Sequence, residues 1–165
     1  MKKISFLVLL VGIIIFVSCS KDGISYKSDF EKSYITWLDF KKNNTDSYRY
    51  RVDGVSWTGW RWQTIIAVTN GEVTGRSYER KYQDEIEEGW TEIGDELGTH
   101  NMGAELLTMD QIYDKARNEW LIDRENAEVF FERDKKGLIS VCGYVENGCM
   151  DDCFVGIRIG YVEPR

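Results

Sequence analysis

The sequence predicts an α+β fold: an antiparallel sheet of about five to six strands, with two helices packed on one face. Three observations lead there. Two stretches place apolar residues at helical spacing behind capping-box patterns, Ser28-Asp29-Phe30-Glu31 and Thr108-Met109-Asp110-Gln111. Several others alternate apolar and polar residues with period two, the mark of a half-buried strand. Short turns join those stretches, so neighbouring strands run antiparallel. The predicted order is αβββ-αβββ, a two-layer arrangement that buries one stripe of each helix against one sheet face.

The first helix is expected over 29–42, with Phe30, Tyr34, Trp37 and Leu38 recurring along it and Asn43-Asn44 ending it. Tyr48, Tyr50 and Val52 alternate with Arg49, Arg51 and Asp53 in a first strand. Trp57 to Thr69 reads as a longer strand, Asn70-Gly71 as a tight hairpin turn, and Glu72 to Lys81 as the return strand. Residues 82–104 show no period and read as a long acidic loop, or a loop with one short helical turn. Met109, Ile112, Tyr113, Ala116, Trp120 and Leu121 then form one apolar face of a helix over 109–122. Strands follow at Ala127–Arg133, Leu138–Val145 and Val155–Tyr161, the first two joined by a turn over Asp134–Gly137.

Composition narrows the class. The chain has 165 residues, 13% aromatic, with a formal charge of -7. That aromatic content argues for a packed core rather than disorder. The acidic balance argues against a nucleic-acid partner, which calls for a basic face.

Residues 1–18 carry Lys2 and Lys3 followed by an apolar run from Phe6 to Val17. That run suits a signal-peptide h-region and is too short for a spanning helix. It closes on Phe16-Val17-Ser18-Cys19, which resembles the lipobox of bacterial lipoproteins. The resemblance implies cleavage before Cys19, acylation of Cys19 and anchorage to a lipid bilayer. Ser20, where an Asp would resemble an inner-membrane retention signal, points to the outer membrane of the cell envelope, with exposure at the surface open. Residues 19–28 are then a tether and 29–165 a single domain.

Within that domain, the Trp-bearing first helix, Tyr48-Arg49-Tyr50, Val68-Thr69-Asn70-Gly71-Glu72-Val73 and Asp134-Lys135-Lys136-Gly137 occur in a fixed order. Together they resemble a family of small secreted bacterial domains of unknown function, over most of 30–163. The resemblance implies the fold and an envelope location. It implies no activity.

Three further cysteines, Cys142, Cys149 and Cys153, can form one disulfide in an oxidising compartment. Cys149–Cys153 is the first choice because both sit at one turn; Cys142–Cys153 is the second. Their spacing is unlike a zinc site. Glu146, Asn147, Asp151 and Asp152 crowd the same turn, but without the spacing of a calcium loop. No metal or cofactor is expected.

Period two places Trp60 and Trp62 on the core side with Thr64, Ile66 and Val68, and turns Trp57 away. Trp57 and Trp90 are therefore the expected exposed stacking residues. Trp90, with Glu87 and Glu88 beside it, marks the acidic stretch as a binding surface. The lone His100 lacks a recognisable nucleophile partner. These residues predict a non-enzymatic binding or structural module for an envelope protein or glycan. The alternatives are a small envelope hydrolase using loop carboxylates and His100, and an inhibitor or modulator of an envelope enzyme.

Overall fold

The structure is a computed structural model and describes residues 23–165. The signal peptide expected over residues 1–18 and Cys19 lie outside the described residues. The order is α1 (Lys27–Asn43), β1 (Tyr48–Val55), β2 (Trp60–Thr69), β3 (Glu72–Tyr82), β4 (Glu85–Ile93), α2 (Met109–Lys115), β5 (Ala127–Arg133), β6 (Ile139–Glu146) and β7 (Val155–Pro164). All strands join one antiparallel sheet in the order β4-β3-β2-β1-β7-β6-β5. The α+β class holds. The sheet has seven strands, more than the five to six expected, and the element order is αββββ-αβββ.

The added strand is β4, inside the stretch expected to be a loop. Two features hid it. Its turn uses Gln83 and Asp84, both at positive φ (49° and 69°), in place of a Gly-containing pair. A bulge between Arg80 and Lys81 then breaks the alternation. By contrast, Asn70 and Gly71 form the expected tight turn, at φ 51° and 82°.

Pairing fixes the faces. Tyr48, Tyr50 and Val52 of β1 lie beside Val68, Ile66 and Thr64 of β2. On the other side, Tyr50 and Val52 meet Val162 and Ile159 of β7, and Cys142 of β6 meets Ile157. This face buries against Phe30 and Trp37 of α1 and Met109, Ile112 and Tyr113 of α2 in one core cluster. The opposite face carries ion pairs, among them Arg49–Glu163 and Arg51–Asp53.

Polar contacts seat the helices. Trp37 Nε1 donates to Asp110 Oδ1 at 2.8 Å, and Asp110 also pairs with Lys41. Ser33 Oγ and Tyr113 Oη share a hydrogen bond at 2.8 Å inside the core. Burial pushes the Tyr113 hydroxyl up to about 12 and the Cys142 thiol likewise to about 12.

The two helix starts differ. Thr108 and Gln111 form the expected capping box: Gln111 N–H donates to Thr108 Oγ1, and Thr108 N–H to Gln111 Oε1. Ser28 and Glu31 do not. The helix begins one residue before Ser28, after Tyr26 in the left-handed region, and Glu31 accepts from Arg117 instead. Its start is set by tertiary contact: Ile24 bridges to Ile122, and Ser25 N–H donates to Leu121 O at 2.7 Å. The expected helix over 109–122 is α-helical only to Lys115. A wider π turn over Ala116–Trp120 follows, and Ala116, Trp120 and Leu121 all reach the core.

Candidate functional site

The helices cover only part of their sheet face. Along β2, Val68, Ile66 and Thr64 are buried, while Trp62 and Trp60 on the same face are half-buried. The expected face is therefore correct, but burial stops where the helical layer ends. Three linked depressions lie there, of about 470, 560 and 390 Å3. The first and second share Ser56, Trp62 and Asp152; the second and third share Val52, Phe154, Gly156 and Ile157. They form one elongated groove.

Each wall has a local cause. Gly54 pairs with Trp62 across β1 and β2, and the Trp62 indole occupies the space a side chain at Gly54 would need. The missing Cβ lets the ring lie flat on the sheet. Trp60 packs against Tyr82, with ring centroids 4.9 Å apart, and the Arg80 guanidinium sits 4.7 Å from the Trp60 ring centroid. Glu88 of β4 holds Arg80 at 3.2 Å.

The far wall is the β6–β7 connection. Cys149 and Cys153 form a disulfide there, as first expected, with Cα atoms 6.2 Å apart. Cys142 is a free thiol buried in the core. The second pairing, Cys142–Cys153, is therefore not formed. The short covalent loop fixes Asp152, whose Oδ2 accepts from Ser56 Oγ at 3.1 Å. That contact ties the β6–β7 connection to the β1–β2 turn. Trp57 stands on that turn, 78% exposed, at the mouth of the second depression.

The near wall is the segment 97–107, clamped by a buried ion pair. Arg76 donates through Nε and Nη2 to both oxygens of Glu92, at 2.9 and 3.0 Å, and through Nη1 and Nη2 to the carbonyls of Ala104 and His100. Glu92 also accepts from the N–H groups of Gly98 and His100. The guanidinium and these donors hold the Glu92 carboxyl well below the usual carboxylate range. Asn101, Met102 and Gly103 of the clamped segment then line the first depression.

No protein-family model, curated protein or solved structure matches this chain.

The sequence-predicted residues divide. Trp90 is half-buried. It lies between Tyr78 and His100, whose ring stacks on it at 4.2 Å, with Arg76 4.9 Å from its centroid. It supports the clamp rather than standing free. His100 Nδ1 lies 2.9 Å from Glu92 Oε1, so both ring face and ring nitrogen serve the same support. Glu87 and Glu88 stand on β4, Glu88 held by Arg80. Among the described residues, no cluster of three or more His, Cys, Asp or Glu could hold a metal ion, and no helix is long and apolar enough to cross a membrane. Sequence reasoning missed Trp60, Trp62, Arg80 and Asp152 as one site. The available signal was Gly54: a glycine in a strand marks close approach of another group.

Proposed function

We propose that the protein is a lipid-anchored, non-enzymatic module of the cell envelope whose groove binds a glycan strand. The reading is carried by the groove itself: Trp60 and Trp62 lie half-exposed along its floor, with hydrogen-bonding side chains on both sides. Aromatic faces pack on the C–H faces of sugar rings, and a few placed polar groups fix orientation. Ser56, Arg80, Asn101 and Asp152 supply those groups. The groove is elongated, which suits a linear polymer over a compact small molecule. Both walls are tied down, by the disulfide on one side and the Arg76–Glu92 clamp on the other, so little ordering cost remains on binding.

Anchorage follows from Cys19 in its lipobox-like setting. Acyl chains on Cys19 would keep the groove near the envelope polymers it is proposed to hold.

Calorimetric titration with chitotetraose, a neutral linear oligosaccharide, tests the groove. Binding should weaken about tenfold, ~1.4 kcal/mol, in Trp62→Ala. Equal affinity in Trp62→Ala, or no binding by the wild-type protein, would contradict the glycan reading. For the anchor, Cys19→Ala should release the protein from the membrane fraction.

A further inference from the structure

One end of the sheet is β4, with no strand beyond it among the described residues. Among the described residues, β4 pairs with β3 alone, leaving one row of its backbone N–H and C=O groups open. It is nine residues long and contains no Pro, Lys or Arg; one bulge at Glu87 interrupts it, and Glu88 and Glu92 are neutralised by Arg80 and Arg76. On the face away from the helices it presents two large apolar side chains near its ends, Ile86 at 61% and Ile93 at 64% exposed.

Its charge is one-sided. Glu85, Glu87, Glu88 and Glu92 lie on the strand, and Asp95 and Glu96 follow it. The neighbouring cations of β3 are already engaged: Arg76 by Glu92, Arg80 by Glu88 and Lys81 by Glu79. Among the described residues, Glu85, Glu87, Asp95 and Glu96 have no cation within ion-pair distance.

We propose that the free edge of β4 is a docking site for an extended basic peptide segment, which joins the sheet as an added strand. Backbone hydrogen bonds along β4 supply affinity, and alternate side chains supply selectivity. Residues of the guest on the open face cover Ile86 and Ile93; its Lys or Arg residues meet Glu85, Glu87, Asp95 and Glu96. A second copy of this chain is a poor occupant. Pairing two copies of β4 would crowd both sets of unpaired carboxylates, Glu85, Glu87, Asp95 and Glu96, along one ladder with no cation between them, and charges of like sign repel. The acidic edge therefore selects a basic segment and rejects itself.

The test uses the whole folded domain and a capped nine-residue peptide of alternating Lys and Val, with an alternating Glu and Val peptide as the control. Hydrogen exchange read by mass spectrometry should slow across Glu85–Ile93 with the Lys peptide and stay unchanged with the Glu peptide. Affinity should fall at least tenfold in Ile86→Lys/Ile93→Lys and in Glu85→Lys/Glu87→Lys, all exposed positions whose substitution leaves the core intact. Equal binding of both peptides, protection located elsewhere, unchanged affinity in both double variants, or dimerisation of the free chain through β4 would each overturn the proposal.

Discussion

Reducing the Cys149–Cys153 bond should lower the stability of the domain by about 2 kcal/mol, and the size of the effect follows from how short the loop is. The two cysteines are four positions apart. Closing so small a ring removes little freedom from the unfolded chain, and the chain-entropy relation gives roughly 2 kcal/mol at 25 °C. At roughly 2.1 cal/mol/K of unfolding entropy per residue, a domain of this size then loses about 7 °C in Tm. The assay is thermal melting followed by circular dichroism, on protein purified under non-reducing conditions, with and without a phosphine reductant. Mass spectrometry after alkylation confirms the state. Cys142 provides an internal reference: its buried thiol, pushed up to about 12, should remain unlabelled until the protein unfolds. Full reduction of Cys149 and Cys153 with no change in Tm would refute the entropic argument. Labelling of Cys149 and Cys153 in the untreated native protein would refute the disulfide itself.

Other perturbations probe the remaining walls and supports. Gly54→Ala should displace the Trp62 indole and cost about 1–3 kcal/mol as an overpacked contact, read as a lower Tm together with a changed near-ultraviolet tryptophan signal; an unchanged signal would mean the ring does not lie on Gly54. Thr108→Ala removes the formed capping box of α2 and should cost about 1 kcal/mol in urea unfolding, while Ser28→Ala, at a box that does not form, should leave the midpoint unchanged. Glu92 has a depressed folded-state pKa, so its contribution is present above the unfolded carboxylate value, near 4.3, and is lost as pH falls below it. Melting between pH 7 and pH 2.5 should therefore show a steeper loss in the wild type than in Glu92→Gln, and parallel curves would remove Glu92 from the clamp.

Much of this fold is legible in the sequence because its signals are local. The same seven residues, Ala127–Arg133, read as a strand in the sequence and form β5 in the structure. The Asn70-Gly71 turn and the Thr108–Gln111 box each satisfy backbone requirements within four residues. The readings that differ depend on distant partners. Ser28 and Glu31 match a capping box in spacing, but the bridge from Ile24 to Ile122 starts the helix earlier and Arg117 takes Glu31. Residues 85–88 read Glu-Ile-Glu-Glu, a poor strand sequence alone, and pair because β3 offers Arg80 and a complementary edge.

The site was less legible than the fold. Period two gives the side of the sheet on which Trp60 and Trp62 lie. Whether they are core or groove depends on how far the helical layer reaches, and no residue near them records that. Trp90 shows the reverse case. Its sequence neighbours are acidic and aperiodic, yet Tyr78, His100 and Arg76 enclose it because the loop returns over β4.

In the proposed complex a glycan lies along Trp60 and Trp62. The chain has six tryptophans, each with one indole N–H, so a nitrogen-labelled sample gives a separate probe for each ring. Titration with chitotetraose, followed by two-dimensional proton–nitrogen NMR, reads them together. The indole signals of Trp60 and Trp62 should move in a saturable, concentration-dependent way, while that of the buried Trp37 stays fixed. Saturable shifts confined to Trp37 or Trp90, or none at any indole, would contradict the groove as the glycan site.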